Sequence, residues 1–194
     1  VLAIVLVIQS AAINTTNTLW PIFVRDHYGW EAKQYAYPVF ISAVASTLAI
    51  ASTTALEKKF GAFKTLILAS LLSSISGAAA FSFHTKSVNG VIAHVMLATT
   101  FTACIGMMEP SIKSLSSLFL NVSSQGRAFG SMAAITTLGS LMGNLGGPYL
   151  YHLKDQSPKK LEYPLIDEFP TPIPFAFVSI MLLVAMFLVV FVSR

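Results

Sequence analysis

Six long apolar segments constrain the fold of this chain more than any other feature of its sequence. A helix needs about 20 mostly apolar residues to cross the hydrocarbon core of a bilayer, and each segment has about that length or more. Because backbone polar groups must be satisfied internally in lipid, each segment is expected to be a helix. The sequence therefore predicts an all-α membrane protein, a single bundle of six transmembrane helices. The predicted spans cover about residues 1–24, 35–56, 65–83, 91–119, 129–151 and 173–192.

The composition excludes several other classes of protein. Only 10% of the 194 residues are charged and the mean hydropathy is +0.71, whereas an average soluble domain has about 25% charged residues. A soluble enzyme and a disordered chain are therefore both excluded. Cys104 is the single cysteine, which excludes a disulfide scaffold. The sequence has no metal-ligand cluster, phosphate loop or nucleophile triad, so we predict no cofactor, no metal and no enzymatic activity.

The basic residues outnumber the acidic ones by twelve to eight, and most lie in short loops between the apolar segments. This distribution is typical of membrane topology rather than of nucleic-acid binding. We expect the first span to start in the cytoplasm, although the basic residues divide almost evenly between the two sides. The cytoplasmic set is Lys58, Lys59, Lys64, Arg127 and Arg194, and the outer set is Arg25, Lys33, Lys86, Lys154, Lys159 and Lys160.

Both ends of the chain lie against apolar segments. The first residue, Val1, is already inside an apolar run, and Arg194 follows directly after the last span. We therefore expect the chain to be a fragment of a longer, multi-pass integral membrane protein. The sequence does not indicate which cellular membrane holds it.

The first span contains a polar stripe. Ser10, Asn14 and Asn17 recur at helical spacing and share one face, with Gln9 beside them. A polar stripe in lipid must face protein or water. One interpretation is a cavity wall in which Asn14, Asn17 and Gln9 bind a solute; the other is hydrogen bonding that holds helices together.

Glu109 and Lys113 lie four residues apart in the fourth span and share a helical face. Charges inside a membrane are costly and often mark ion or substrate pathways. We therefore predict that Glu109 is a coupling or gating acid and that Lys113 is its partner. The alternative is that Lys113 extends to the cytoplasmic surface and Glu109 only pairs with it. For His94, near the outer end of the same span, an interfacial position is favoured over a proton relay.

The fifth span carries glycine at every fourth position, namely Gly139, Gly143 and Gly147. A surface of small residues allows a neighbouring helix to approach closely, so this stripe predicts helix packing. Pro148 is expected to disturb the helix near its outer end.

The loop over residues 56–66 resembles the cytoplasmic motif of major facilitator superfamily transporters, which reads approximately L-A-D-R-F-G-R-R-K. Lys58 stands where that motif has its acid, and Glu57 lies one position earlier. This departure affects the charged latch that the motif forms in the family. The residues that fit are Lys59, Phe60, Gly61 and Lys64.

The turn into the fifth span is similar to the Q-G-x-x-x-G turn of tetracycline-efflux-like members of that family, with Gln125, Gly126 and Gly130 in place. Gly130, Gly139 and Gly143 also keep the family's antiporter spacing, but Asn144 replaces the proline that follows it. That antiporter motif belongs to the first half of the family's transporters. The altered loop motif and the long hydrophilic loop before the last span favour the second half.

The resemblance implies alternating access, in which two six-helix halves move around a central site. The implied partners are the lipid bilayer, a small solute, protons and the other half of the transporter, but no nucleic acid. The predicted function is secondary active or facilitative transport of a small solute. The alternative is a receptor or scaffold of the same fold that does not transport. Specificity depends on a few cavity residues, so the sequence does not give the substrate.

Overall fold

The computed structural model describes residues 1–82, 87–120, 122–152 and 173–193, and in these ranges the regular secondary structure is helical. The expected all-α architecture is confirmed, with one helix for each predicted span. The helices are α1 (Leu2–Tyr28), α2 (Ala32–Phe60), α3 (Ala62–Ser82), α4 (Val88–Phe119), α5 (Val122–His152) and α6 (Ile173–Val192).

The first two helices extend beyond the apolar spans that the sequence indicates. α1 continues through Arg25 to Tyr28, and α2 continues through Lys58 and Lys59 to Phe60. Charged residues end an apolar span, but they do not end a helix whose backbone bonds are already formed. The basic residues that lie outside the described ranges are Lys86, Lys154, Lys159, Lys160 and Arg194.

Two glycines separate the first three helices. Gly29 follows α1 with a φ of 70°, and its N–H donates to the carbonyl of Arg25. Gly61 is the single residue between α2 and α3 and has a φ of 87°. Residues with a side chain rarely adopt such positive φ values, so glycine allows each abrupt change of direction.

Five of the described helices are long and apolar enough to cross a membrane, and α5 is not among them. At 31 residues α5 has ample length. Glycine, serine, threonine and Asn144 lower its hydropathy, because the face toward α1 is built from small and polar residues. Pro148 does not end α5, which continues to His152.

α1 occupies the centre of the bundle, where it packs against α5, α6 and α4. α3 packs against α4 and α6, and α2 packs mainly against α4. Two hydrogen bonds fix the register between α1 and α4: Gln9 Nε2 to the Ile105 carbonyl at 3.4 Å, and Trp20 Nε1 to His94 Nε2 at 3.0 Å. Because the residue numbers of the bonded positions increase along α1 while those of their partners decrease along α4, the two helices are antiparallel.

The glycine stripe of α5 lies directly against the backbone of α1. A Cβ atom added at Gly139 would lie 2.7 Å from the Val7 carbonyl oxygen, and one added at Gly143 would collide with the Ala11 carbonyl oxygen. A Cβ at Gly147 would lie 3.0 Å from Thr15 Cγ2. The structure thus places Gly139 and Gly143 where the α1 backbone approaches too closely for a larger residue, whereas at Gly147 the neighbouring Thr15 side chain would have to shift slightly.

We predict that Gly143→Ala destabilises the bundle by about 1–3 kcal/mol, because the added methyl group forces α1 and α5 apart. Gly146→Ala is the matched control, since a Cβ there meets nothing within 4 Å and alanine favours a helix over glycine. Thermal unfolding of the purified full-length protein in detergent measures both effects. Equal melting temperatures for the two variants would contradict the close approach.

Candidate functional site

The ion pair that the sequence indicates in α4 is formed and borders a cavity. Lys113 Nζ lies 2.7 Å from Glu109 Oε1, and the two side chains are 48% and 36% exposed. The cavity has a volume of about 420 Å³ and lies between α4 and α5. The pair therefore faces an opening between two helices, where water or a solute can reach it. The cavity is lined by Glu109, Lys113, Phe129, Ala133 and Thr136.

Next to this pair, the backbone of α4 is interrupted by Pro110. Proline has no N–H, so the carbonyl of Gly106 loses its usual helical donor. One residue earlier, the carbonyl of Ile105 accepts a hydrogen bond from Gln9 of α1. A side chain of α1 is thus hydrogen-bonded to the α4 backbone next to the carbonyl that lacks its helical donor.

Gln9 is buried in the bundle, whereas the first interpretation of the stripe places it on a cavity wall. Its side chain is only 4% exposed, so in this conformation it is closed to a solute. The helical spacing puts Gln9 near the polar stripe, but the rotation of α1 turns it toward α4. Its Oε1 atom is buried and has no hydrogen-bond partner among the described residues.

Asn14 takes part in a polar seam between α1 and α5. Asn14 Nδ2 donates to the Ser10 carbonyl at 2.8 Å and to Ser140 Oγ at 3.0 Å. Ser10 Oγ donates to the Thr136 carbonyl at 2.7 Å. The side chain of Asn14 is therefore committed to helix packing, which favours the second interpretation of the stripe for this residue.

Asn17 lies on the same helix but outside that seam. Its side chain is exposed, and within the described ranges it makes no side-chain hydrogen bond. Asn14 and Asn17 are about one helical turn apart but have different contacts, because only Asn14 faces Ser140. Of the three polar residues predicted to contact a solute, Asn17 alone presents a free amide in the described part of the chain.

Asn17 and Glu109 lie at different depths in the bundle. The hydrogen bonds from Gln9 to Ile105 and from Trp20 to His94 set the register, which places Asn17 level with about residue 97 of α4. At 1.5 Å per residue, Asn17 is then about 18 Å from Glu109 along the helix axis. Asn17 is near the middle of α1, whereas Glu109 is closer to the end of α4 that leads to α5. The two predicted groups do not form one site.

A buried polar cluster that the sequence pattern does not predict surrounds His94. The His94 ring is fully buried, accepts the Trp20 indole hydrogen bond at Nε2, and lies 2.8 Å from the Ala80 carbonyl at Nδ1. Since an indole N–H can only donate, Nε2 is the acceptor and Nδ1 carries the proton. The His94 side chain is thus enclosed by protein near the start of α4 and joins three helices. The sequence signal that could have revealed the cluster is Trp20, an aromatic residue with a polar N–H group in an apolar span.

The basic loop motif lies at the junction of α2 and α3. Lys58, Lys59 and Lys64 are exposed, and Lys59 Nζ lies 5.2 Å from the ring centre of Phe60. Glu57 turns inward, and its Oε1 atom is buried without a hydrogen-bond partner in the described part of the chain. Glu57, which stands one position before the acid of the family motif, therefore has one carboxylate oxygen buried in the protein.

These features define the class of protein: an integral, multi-pass membrane protein whose helices are joined by polar seams, with an open, charged cavity between two of them. The family model described as the Major Facilitator Superfamily matches residues 2–194. The chain belongs to that superfamily.

One curated relative is informative about the branch of the superfamily. The chain is 30% identical over 128 residues to the tetracycline resistance protein, class C, of Escherichia coli. The match covers 66% of this chain and 31% of that protein, so it spans about a third of the length of the relative. No solved structure matches the chain.

We predict that Trp20→Phe destabilises the protein by about 1–3 kcal/mol, because it leaves His94 Nε2 buried without a donor. Trp30→Phe is the control, since it makes the same chemical change at a partly exposed position. Thermal unfolding of the full-length protein compares the two variants. If both lower the melting temperature equally, the hydrogen bond to His94 contributes nothing specific.

Proposed function

We propose that this chain forms part of a secondary transporter that moves a small solute across a membrane by alternating access. Membership of the superfamily supports transport as the activity, and the cavity that contains Glu109 and Lys113 is the observation that carries the proposal. Charged residues within a membrane-spanning helix are costly, and a transport pathway is a common reason for them.

In this proposal Glu109 and Lys113 act as a gate that responds to protons. While Glu109 is ionised, it holds Lys113 at 2.7 Å. A proton on Glu109 removes the negative charge and releases Lys113 into the cavity, which changes the contacts between α4 and α5. Because both groups are partly exposed to the cavity, a proton can reach them without unfolding the helix.

Asn17 is the proposed solute contact. Transporter sites of this kind lie near the middle of the membrane, and Asn17 is close to the midpoint of α1. Its amide offers both a donor and an acceptor. Asn14, by contrast, is assigned to the packing of α1 against α5.

We further propose that all six helices cross the membrane and that the chain packs against a second six-helix half. The exposure of α2 supports this arrangement, because Pro38, Ser42 and Thr53 are its only buried residues. Large apolar side chains such as Tyr37, Phe40 and Leu48 are exposed on the same helix. A second half would cover part of this surface and supply the opposite wall of the cavity.

We predict that Glu109→Gln lowers proton-driven accumulation of solute by about tenfold, within the usual range of coupling free energies. The full-length protein is reconstituted in vesicles with an imposed pH gradient, and a panel of labelled small solutes is tested. Tetracycline is the first probe, because of the relative's name. Exchange of solute without a gradient is expected to persist, since the substitution removes the titratable charge but leaves the cavity open.

Glu31→Gln is the control for this experiment, because it makes the same change at an exposed position before α2. Unchanged accumulation in the Glu109 variant would contradict the coupling role. If no solute in the panel is moved by the wild-type protein, the result favours a receptor or scaffold instead.

We predict different effects for the two asparagines of α1. Asn17→Ala raises the KM for the solute by about three- to tenfold, the equivalent of one lost hydrogen bond, and leaves the melting temperature unchanged. Asn14→Ala lowers the melting temperature, because it removes the hydrogen bond from Asn14 Nδ2 to Ser140 across the helix interface. Uptake kinetics and thermal unfolding, measured on both variants, separate the roles. A loss of stability in Asn17→Ala would contradict the assignment.

A further inference from the structure

A second cavity, separate from the one at Glu109, opens on the surface of α2, α3 and α4. Its volume is about 420 Å³, and its walls are almost entirely apolar apart from Lys64 and Thr65. Thr65 Oγ1 already donates to the Gly61 carbonyl. This leaves Lys64 as the polar group available to a ligand. Members of the lining set are Phe60, Lys64, Leu68, Leu72, Cys104 and Met107.

The groove has the shape of a membrane-lipid site, with an apolar trough and a charged end. Phe60, Leu68 and Leu72 are 47%, 51% and 41% exposed, so its rim continues the apolar outer surface of the bundle. Lys64 and Leu72 are separated by eight residues of α3, or about 12 Å along the helix. An acyl chain can therefore lie in the trough while its headgroup remains beside Lys64.

The charge at that end is strongly positive. Lys58 and Lys59 lie on the last turn of α2, and Lys64 lies on the first turn of α3, which has no acidic residue. Glu57 is the acid nearest in sequence, but within the described part of the chain it forms no ion pair with any of these lysines. Of the three lysines, Lys64 is the one that lines the groove, so its ammonium group is the one placed to meet a negatively charged headgroup.

We propose that this groove binds an anionic phospholipid, with its phosphate at Lys64 and one acyl chain along Leu68 and Leu72. A zwitterionic lipid fills the same trough but gains less from the lysines. Basic clusters at a helix end attract anionic lipids of the cytoplasmic leaflet, and the predicted orientation places this junction on the cytoplasmic side. The site is independent of the proposed transport function.

The test uses tryptophan quenching by brominated lipids in the full-length protein. Leu68→Trp places the probe in the groove. Phe187→Trp is the control, because Phe187 is 65% exposed on α6 at a similar distance from its helix end. Brominated phosphatidylglycerol is expected to bind at the Leu68 probe with about fivefold preference over brominated phosphatidylcholine, the equivalent of one lysine at a membrane surface.

The preference is expected to disappear in Lys64→Gln, to persist in Lys64→Arg, and to persist in Lys33→Gln, which removes an exposed lysine at the opposite end of α2. The Phe187 probe should show no preference. Equal quenching by both lipids at the Leu68 probe would overturn the proposal, as would a preference that survives in Lys64→Gln. Solute uptake plays no part in the measurement, so failure of transport cannot be mistaken for failure of lipid binding.

Discussion

The close approach of α1 and α5 determines the rest of the arrangement. Apolar side chains gain little by leaving lipid for one another, so helices in a bilayer associate through backbone contact, tight packing and polar bonds. Gly139 and Gly143 allow the α1 carbonyls of Val7 and Ala11 to lie against α5. Once the backbones are that close, the short side chains of the seam can meet across the interface. Ser10 and Ser140 then lie 2.9 Å apart.

The same contact divides the polar residues of α1 into different roles. Residues that turn toward α5 or α4 become structural, because a buried polar group is costly unless it is hydrogen-bonded. Asn14 finds Ser140, and Gln9 finds the Ile105 carbonyl. Asn17 is left exposed. A stripe that the sequence presents as one face therefore contains both the bonds that hold the helices and a residue that is left exposed.

The sequence predicts the helices well, because lipid leaves few alternatives for an apolar segment of sufficient length. It also identifies the pair of Glu109 and Lys113, since four residues of spacing bring side chains together within a single helix. Gln9 and His94 could not be placed in the same way. Their surroundings depend on how α1 is rotated against α4, and a one-dimensional pattern does not contain that rotation. The His94 cluster needs residues from α1, α3 and α4 together.

The separation of about 18 Å between Asn17 and Glu109 limits how a solute and a proton can influence each other under the proposed function. At that distance a contact between them is impossible, so any coupling must pass through a movement of α4. Next to Glu109, Pro110 removes a backbone donor from α4. Under the proposed function, a change in the Glu109 and Lys113 pair acts on the helix there, and the bond from Gln9 to Ile105 is a described contact through which α1 would follow. Because α1 also carries Asn17, the proposal connects the gate to the solute contact through these two helices.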